Sequence, residues 1–389
     1  MPTYDPRVAD LTRFLRTSAG WPYVLVPFIP IAIALEIAGA GPIVLFVTSA
    51  LGVIPTAALM GRATEELAHR AGPGIGGLLN VTFGNAPELI IALFALQKGL
   101  HEVVKASIIG SILGNVLLVL GAAMFFGGLG RDRQRFNRTA ASVQSLMLFL
   151  AVAAMSMPAI YQLVDSYGLP SPGAEVIDYG GEVEKLSVAV AIVLILTYVA
   201  GLLFSLKTHR GLFNPAAEQA EEDSAQDCEA DPGSEEPWSV KRSVIALAIA
   251  GVAVGVMSEI LVGSISETAA KMGLSEFFIG AIVVAIVGNA AEHWVAVVVA
   301  RKNQMDLAVN IAIGSSAQVA LFVAPDLVLA SLFIGPHPMA LVLNGFELGA
   351  VFLAALVANQ VTSEGESTWF EGVQLLALYV VLGIAFYFA

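Results

Sequence analysis

Eleven stretches of this chain are apolar over roughly the 20 residues a helix needs to cross a bilayer's hydrocarbon, and this limits the fold more than any other feature. They run over 22–38, 41–60, 74–97, 104–127, 140–161, 185–206, 242–263, 276–299, 306–324, 339–358 and 369–388. The runs are continuously apolar rather than alternating, which selects helices over a barrel. Hydrophobic residues are 57% of the 389 and charged ones 13%, a balance outside the soluble globular range. Pro27 and Pro30 interrupt the first run.

With eleven spans, the basic residues divide unevenly between the two sides. Fifteen fall on the N-terminal side, among them Arg62, Arg70, Arg131, Lys207 and Arg301, against Lys98, Lys105, Lys185 and Lys271 opposite. Basic loops stay in the cytoplasm, so the N-terminus is expected inside and the C-terminus outside, in a bacterial plasma membrane. No short apolar core with a cleavage site opens the chain, so no signal peptide is expected. Net charge is −13, and nine of the 32 acids lie between Glu218 and Glu236 with no Lys or Arg among them. That excludes a nucleic-acid footprint, which needs clustered basic surface. The single cysteine, Cys228, excludes an intrachain disulfide.

Within these runs one phrase occurs twice: Gly84-Asn-Ala-Pro-Glu88 and Gly288-Asn-Ala-Ala-Glu292, 204 residues apart. An acid at membrane depth is costly and marks function. At the same offset Ile109-Gly-Ser111 matches Ile313-Gly-Ser315; Glu66 and Gly72 match Glu267 and Gly273 at 201, and Gln144 falls opposite Glu347 at 203. Setting the first span aside leaves two groups of five, and an odd number of crossings inverts the second group. The expected fold is therefore an all-α membrane protein of eleven transmembrane helices: one leading helix plus two inverted five-helix repeats, with the site at the midplane. The parts are 1–40 (N-terminal segment and leading helix), 41–206 (first repeat), 207–240 (acidic cytoplasmic linker) and 241–389 (second repeat). The linker is not an EF-hand: Pro232 stands where Gly is needed and Trp238 where Glu is needed. A solvated connection is the simpler reading.

The residue types in the phrase suit a hard cation. Gly84 and Gly288 let an ion or a helix approach the backbone. Pro87 breaks the helix and is expected to free the carbonyl of Phe83, whereas Ala291 in the second copy does not. Asn85 and Asn289 bring amide oxygens, and Glu88 and Glu292 bring carboxylates. Ser111, Ser315, Asn115, Ser316 and Gln318 add neutral donors from the following spans. Carboxylate, amide and hydroxyl oxygens suit Ca2+ rather than a soft metal. Two carboxylates are neutral with one Ca2+ or with two protons, while the empty dianion is costly in a low-dielectric cavity. Such a site changes sides when loaded either way, which is exchange of at least two protons per Ca2+.

These motifs resemble those of the calcium/cation antiporter superfamily, within it the calcium–proton exchanger (CAX) branch. The resemblance rests on Asn80-Val-Thr-Phe-Gly-Asn-Ala-Pro-Glu-Leu89, Val287-Gly-Asn-Ala-Ala-Glu-His293, Ser258-Glu-Ile-Leu-Val262 and Gly365-Glu-Ser-Thr-Trp369, and it covers nearly the whole chain. It implies a sodium/calcium exchanger-like fold, a cytoplasmic acidic loop, and Ca2+ export driven by protons. Glu88 and Glu292 would carry ion and proton, Gly84 and Gly288 would offer carbonyls, and Asn85 and Asn289 would line the cavity. His293 would tune or gate the adjacent carboxylate; a satisfied buried histidine is the alternative. Sodium–calcium exchangers use more acidic ligands. This chain has no Asp in spans three, four, eight or nine before Asp306, which argues against Na+ sites.

Glu259 and Glu347 are candidates for proton transfer or for polar ties between helices. Glu66 and Glu267 either line opposite entrances or lie on solvated faces. Trp21, Trp238, Trp294 and Trp369 fall mostly near predicted interfaces. Other classes fit less well. A channel would not need two neutralisable inverted halves. A metalloenzyme would need a His-Glu-x-x-His pair, and His101-Glu102 is followed by Lys105 at the second position. Na+(K+)/H+ or Na+/Ca2+ exchange on the same scaffold is the alternative for the cargo. The expected partners are Ca2+, protons and membrane lipid, with no nucleic acid and no cofactor; self-association into a homo-oligomer is compatible with this reading.

Overall fold

The computed structural model describes residues 20–165, 168–172, 181–208 and 238–389. Among them nine helices are long and apolar enough to cross a membrane, and two apolar helices are shorter. A 3-10 turn at Trp21–Leu25 precedes α1 (Phe28–Ile37). Next come α2 (Pro42–Gly84) and α3 (Ala86–Gln97), then α4 (His101–Gly128), α5 (Arg138–Val164), α6 (Gly181–Thr208), α7 (Val240–Met272), α8 (Glu276–Arg301), α9 (Met305–Ala330), α10 (Gly345–Thr362) and α11 (Trp369–Phe388). Residues 1–19 and the acidic stretch 209–237, with the linker reading that falls there, lie outside the described residues.

Two expected boundaries are corrected. Spans two and three were expected to be separated at 61–73, yet helical structure continues through α2 to Gly84. It does not run straight. A methyl on Gly76 would collide with the carbonyl of Ala68, eight residues back, whereas a straight helix holds such residues about 12 Å apart. Span ten was expected from 339, but α10 begins at Gly345. Asn344 and Glu347 form a capping box, with bonds of 2.9 Å and 2.8 Å in the two directions, that sets the helix end. Met339 to Leu343 are buried although not helical. Side chains satisfy their backbone: Ser331 Oγ accepts from Met339 N–H, Ser187 Oγ accepts from Leu341 N–H, and Lys105 Nζ donates to the carbonyl of Val342. Irregular backbone survives at membrane depth only when it is buried in protein in this way.

The centre of the bundle is α4, with 83% of its apolar window buried. Glycines let neighbours reach its backbone: a methyl on Gly110 would lie 2.8 Å from Ala281 Cα of α8, and one on Gly121 would lie 2.9 Å from Leu375 Cβ of α11. Wide π-helical turns interrupt α4 at Gly114–Val119, α8 at Ile279–Val284, and α9 at Asn310–Gly314 and Val319–Val323. Such turns are frequent at functional sites. One feature departs from the all-helical expectation. Gln134–Arg135 pairs antiparallel with Glu366–Ser367, tying the connection after α4 to that after α10.

Candidate cation site

The first copy of the repeated phrase lies at a helix break. Gly84 ends α2, Asn85 leaves helical geometry at φ −97 and ψ 15, and α3 starts at Ala86 with Pro87 in its first turn, where a missing N–H costs nothing. The Phe83 carbonyl expected to be free is taken by the backbone N–H of Asn85. Glu88 falls in the first turn of α3, whose unpaired N–H groups favour an anion. Without a proline, the second copy stays inside α8, which is unbroken from Ala285 to Arg301.

The two copies meet. A methyl on Gly288 would lie 3.5 Å from Glu88 Cγ, an ordinary van der Waals distance, so the two phrases pack directly against each other. Glu292 is one turn further along the same face of α8. Both carboxylates line one cavity of about 1080 Å³ with Gly84, Asn85, Gly288, Ser315 and Gln318; Asn289, expected to line it, is not among its lining residues. Behind Glu88 an enclosure of about 20 Å³ is walled by Ser107, Ser111 and Gly288, enough for about one water. The large cavity is also lined by Tyr23, Arg62, Glu65, Glu66, His69 and Arg70.

Hydrogen bonds orient the oxygens. Asn85 Nδ2 donates to Gln318 Oε1 at 2.7 Å. Asn289 Nδ2 donates to Ser111 Oγ at 3.2 Å and to the carbonyl of Ala285 at 3.0 Å. Ser315 Oγ donates to Glu292 Oε2 at 3.3 Å. With both amide nitrogens engaged, Asn85 Oδ1, Asn289 Oδ1 and Glu88 Oε2 are buried without a donor. Buried acceptors of this kind are normally paired. Among the described residues no group of three His, Cys, Asp or Glu is placed to hold a metal, so a cation here would depend on two carboxylates and neutral oxygens.

Other candidates lie elsewhere. His293 faces α4, its Cε1 4.0 Å from a methyl built on Gly114, and is not among the residues lining the cavity. Glu259 is exposed and lines a separate cavity of about 470 Å³ with Glu36, Lys98 and Glu267. Glu66 and Glu267 thus border two different cavities. Glu347 is 1% exposed and caps α10. Ser316 Oγ bonds back to the Ala312 carbonyl, and Asn115 is buried with Nδ2 unpaired. Sequence reasoning used Gln144 only for the repeat register, but its Nε2 donates to Asn310 Oδ1, and Asn310 lines the cavity. It also missed that Arg62 and Arg70, used only for orientation, belong to the cavity wall.

The sodium/calcium exchanger protein family model matches residues 41–207 and 242–388. The chain is 43% identical over 374 residues to a Ca(2+)/H(+) antiporter of Synechocystis, covering 94% of this chain and 96% of that protein. It is 46% identical over 349 residues to the Ca(2+)/H(+) antiporter ChaA of Bacillus subtilis, covering 88% and 92%. The solved structure of native YfkE is similar at a TM-score of 0.77 and 40% identity, over 95% of this chain and 100% of that one. The H+/Ca2+ exchanger CAX structure shares the fold, with a TM-score of 0.66 at 14% identity, over 96% and 93%.

Proposed function

As the chain belongs to the sodium/calcium exchanger protein family, we propose that it is an integral membrane antiporter that exports Ca2+ from the cytoplasm in exchange for protons at Glu88 and Glu292. The observation that carries this reading is the pair of buried acceptor oxygens on Glu88 and Asn85 that face no donor, on residues that line one cavity with a second carboxylate, Glu292. Acceptors without donors are what a desolvated cation needs. The choice of Ca2+ and H+ leans on relatives named Ca(2+)/H(+) antiporters.

In this reading α1 and α3 complete eleven crossings, and two inverted halves, 41–206 and 241–389, frame the midplane site. Support comes from the matched phrases and from Asn85 and Asn289, each bonded to a side chain of the other half. Gly84 and Gly288 offer backbone at the ion, and Ser111 and Ser315 orient Asn289 and Glu292. The cavity connects the carboxylates with Arg62 and Arg70, which the basic-residue bias assigns to the cytoplasm, so this conformation faces inward. One Ca2+ or two protons neutralise the pair, and either loaded form can change sides as the two groups of helices rock.

The test is ⁴⁵Ca uptake into proteoliposomes under an imposed pH gradient, repeated with Na+ and K+ gradients. Uptake is expected to follow the proton gradient and to vanish in Glu88→Gln and Glu292→Gln. Wild-type rates in either variant would refute the site, and uptake driven only by Na+ or K+ would refute the exchanged ion.

A further inference from the structure

Arg62 is among the residues lining the cavity that also holds the glutamate pair. Its position depends on a residue that is not among those lining the cavity. Trp238, the first described residue after the acidic stretch, is 9% exposed. The Arg62 guanidinium lies 5.1 Å from the centre of its ring, and that of Arg242 lies 4.2 Å away. The backbone at the same residue is gripped by α2: Trp238 N–H donates to Glu66 Oε2 at 2.9 Å, and Arg70 Nε donates to the Trp238 carbonyl at 3.1 Å. Guanidinium over an indole face is a favourable arrangement, and the two backbone bonds fix where that face sits.

Tyr23, a further partner of Arg62, belongs to the cavity wall, as do Glu65, Glu88 and Glu292. Without the indole, Arg62 keeps these attractions inside the cavity, where its guanidinium would act as a tethered cation competing with the cargo.

We propose that Trp238 is a positioning residue for cation entry, holding Arg62 out of the path to Glu88 and Glu292. This rests on the reading of the cavity as the cation's entrance. A single positive charge moved from about 10 Å to about 6 Å from a divalent ion, screened by water and salt, changes its occupancy by about two- to fivefold.

The experiment measures Ca2+ transport by the full-length protein in proteoliposomes, with Ca2+ titrated on the face that bears the cavity. Trp238→Ala and Trp238→Leu are both expected to raise KM by about two- to fivefold with the maximal rate little changed, because the competitor is a tethered cation. The second variant fills part of the indole's volume and serves if the first does not fold. Trp238→Phe keeps an aromatic face and is expected to restore KM. The double variant Trp238→Ala/Arg62→Gln is expected to return KM to the wild-type value, and added salt is expected to shrink the gap between Trp238→Ala and wild type. An unchanged KM in both the Ala and Leu variants overturns the proposal, and so does failure of Arg62→Gln to rescue, since loss of structure alone would not be repaired by removing a charge. Glu88→Gln runs alongside. If it is inactive while Trp238→Ala behaves as wild type, only the role of Trp238 falls; if it transports normally, the entrance reading falls and takes this proposal with it.

Discussion

Gly110 and Gly314 stand at matched places in the two halves, yet the structure gives them different surroundings, and the difference has a measurable consequence. A methyl on Gly110 would lie 2.6 Å from the Ala281 carbonyl carbon and 2.8 Å from its Cα. Carbon atoms in contact prefer about 3.5–4.0 Å, and backbone cannot rotate aside, so α4 and α8 must part by about 1 Å. Ser111, the next residue, accepts the 3.2 Å bond from Asn289 Nδ2, and that separation takes the pair out of hydrogen-bond range. Overpacking of this kind costs about 1–3 kcal/mol. The lost bond contributes about 1 kcal/mol to holding the Asn289 oxygen in place, or about fivefold in cation affinity. A methyl on Gly314 instead meets Asn310 Oδ1 at 3.2 Å and Gln144 Nε2 at 3.4 Å, ends of side chains that can yield, for less than about 1 kcal/mol. Proteoliposome uptake against Ca2+ concentration, with thermal melting in detergent, checks this. Gly110→Ala should raise KM about fivefold and melt earlier, while Gly314→Ala should stay within about twofold of wild type. Equal effects, or greater harm from Gly314→Ala, would refute the reasoning.

Gln318→Leu removes the acceptor that turns Asn85 and should raise KM for Ca2+ by about tenfold at little cost in folded yield, read by the same uptake assay. Asn344→Ala breaks the capping box of α10 and should cost about 1 kcal/mol of stability, seen as earlier melting with KM unchanged. Glu366 is held below the usual carboxylate range, first by its hydrogen bond from Arg133 and then by the charges of Arg133 and Arg135. A depressed carboxyl stabilises the fold above its unfolded value and loses that contribution as pH falls through the folded one. Glu366→Gln should therefore melt slightly earlier than wild type at neutral pH, and the two should converge in acid.

The apolar runs and the repeated phrase were legible because each rests on local chemistry: span length, a proline beside a glutamate, a glycine one turn away. The start of α10 was not, because Met339 to Leu343 are as apolar as any helix. Their non-helical course depends on Ser331 and on Ser187 and Lys105, the last two distant in sequence. The course of α2 was hidden for the opposite reason: the polar stretch at 61–73 reads as a connection between two spans, whereas helical structure runs on to Gly84. At the site, the ligand types could be read, but their orientation could not. That Gln318 turns Asn85, and that His293 faces α4, follow from which helices lie side by side. Trp238 read as an interfacial anchor, since nothing in its neighbourhood of the chain announces that Arg62 will lie against its ring.

Each asparagine takes a side-chain partner from the other half: Asn85 leans on Gln318, and Asn289, held also by the Ala285 carbonyl of its own helix, leans on Ser111. A protein cut in the acidic stretch and produced as two fragments should therefore lose its affinity for the ion in each piece taken singly and regain it only on reassociation. Calcium titration of the pieces, separate and recombined, would then report assembly of the pocket itself.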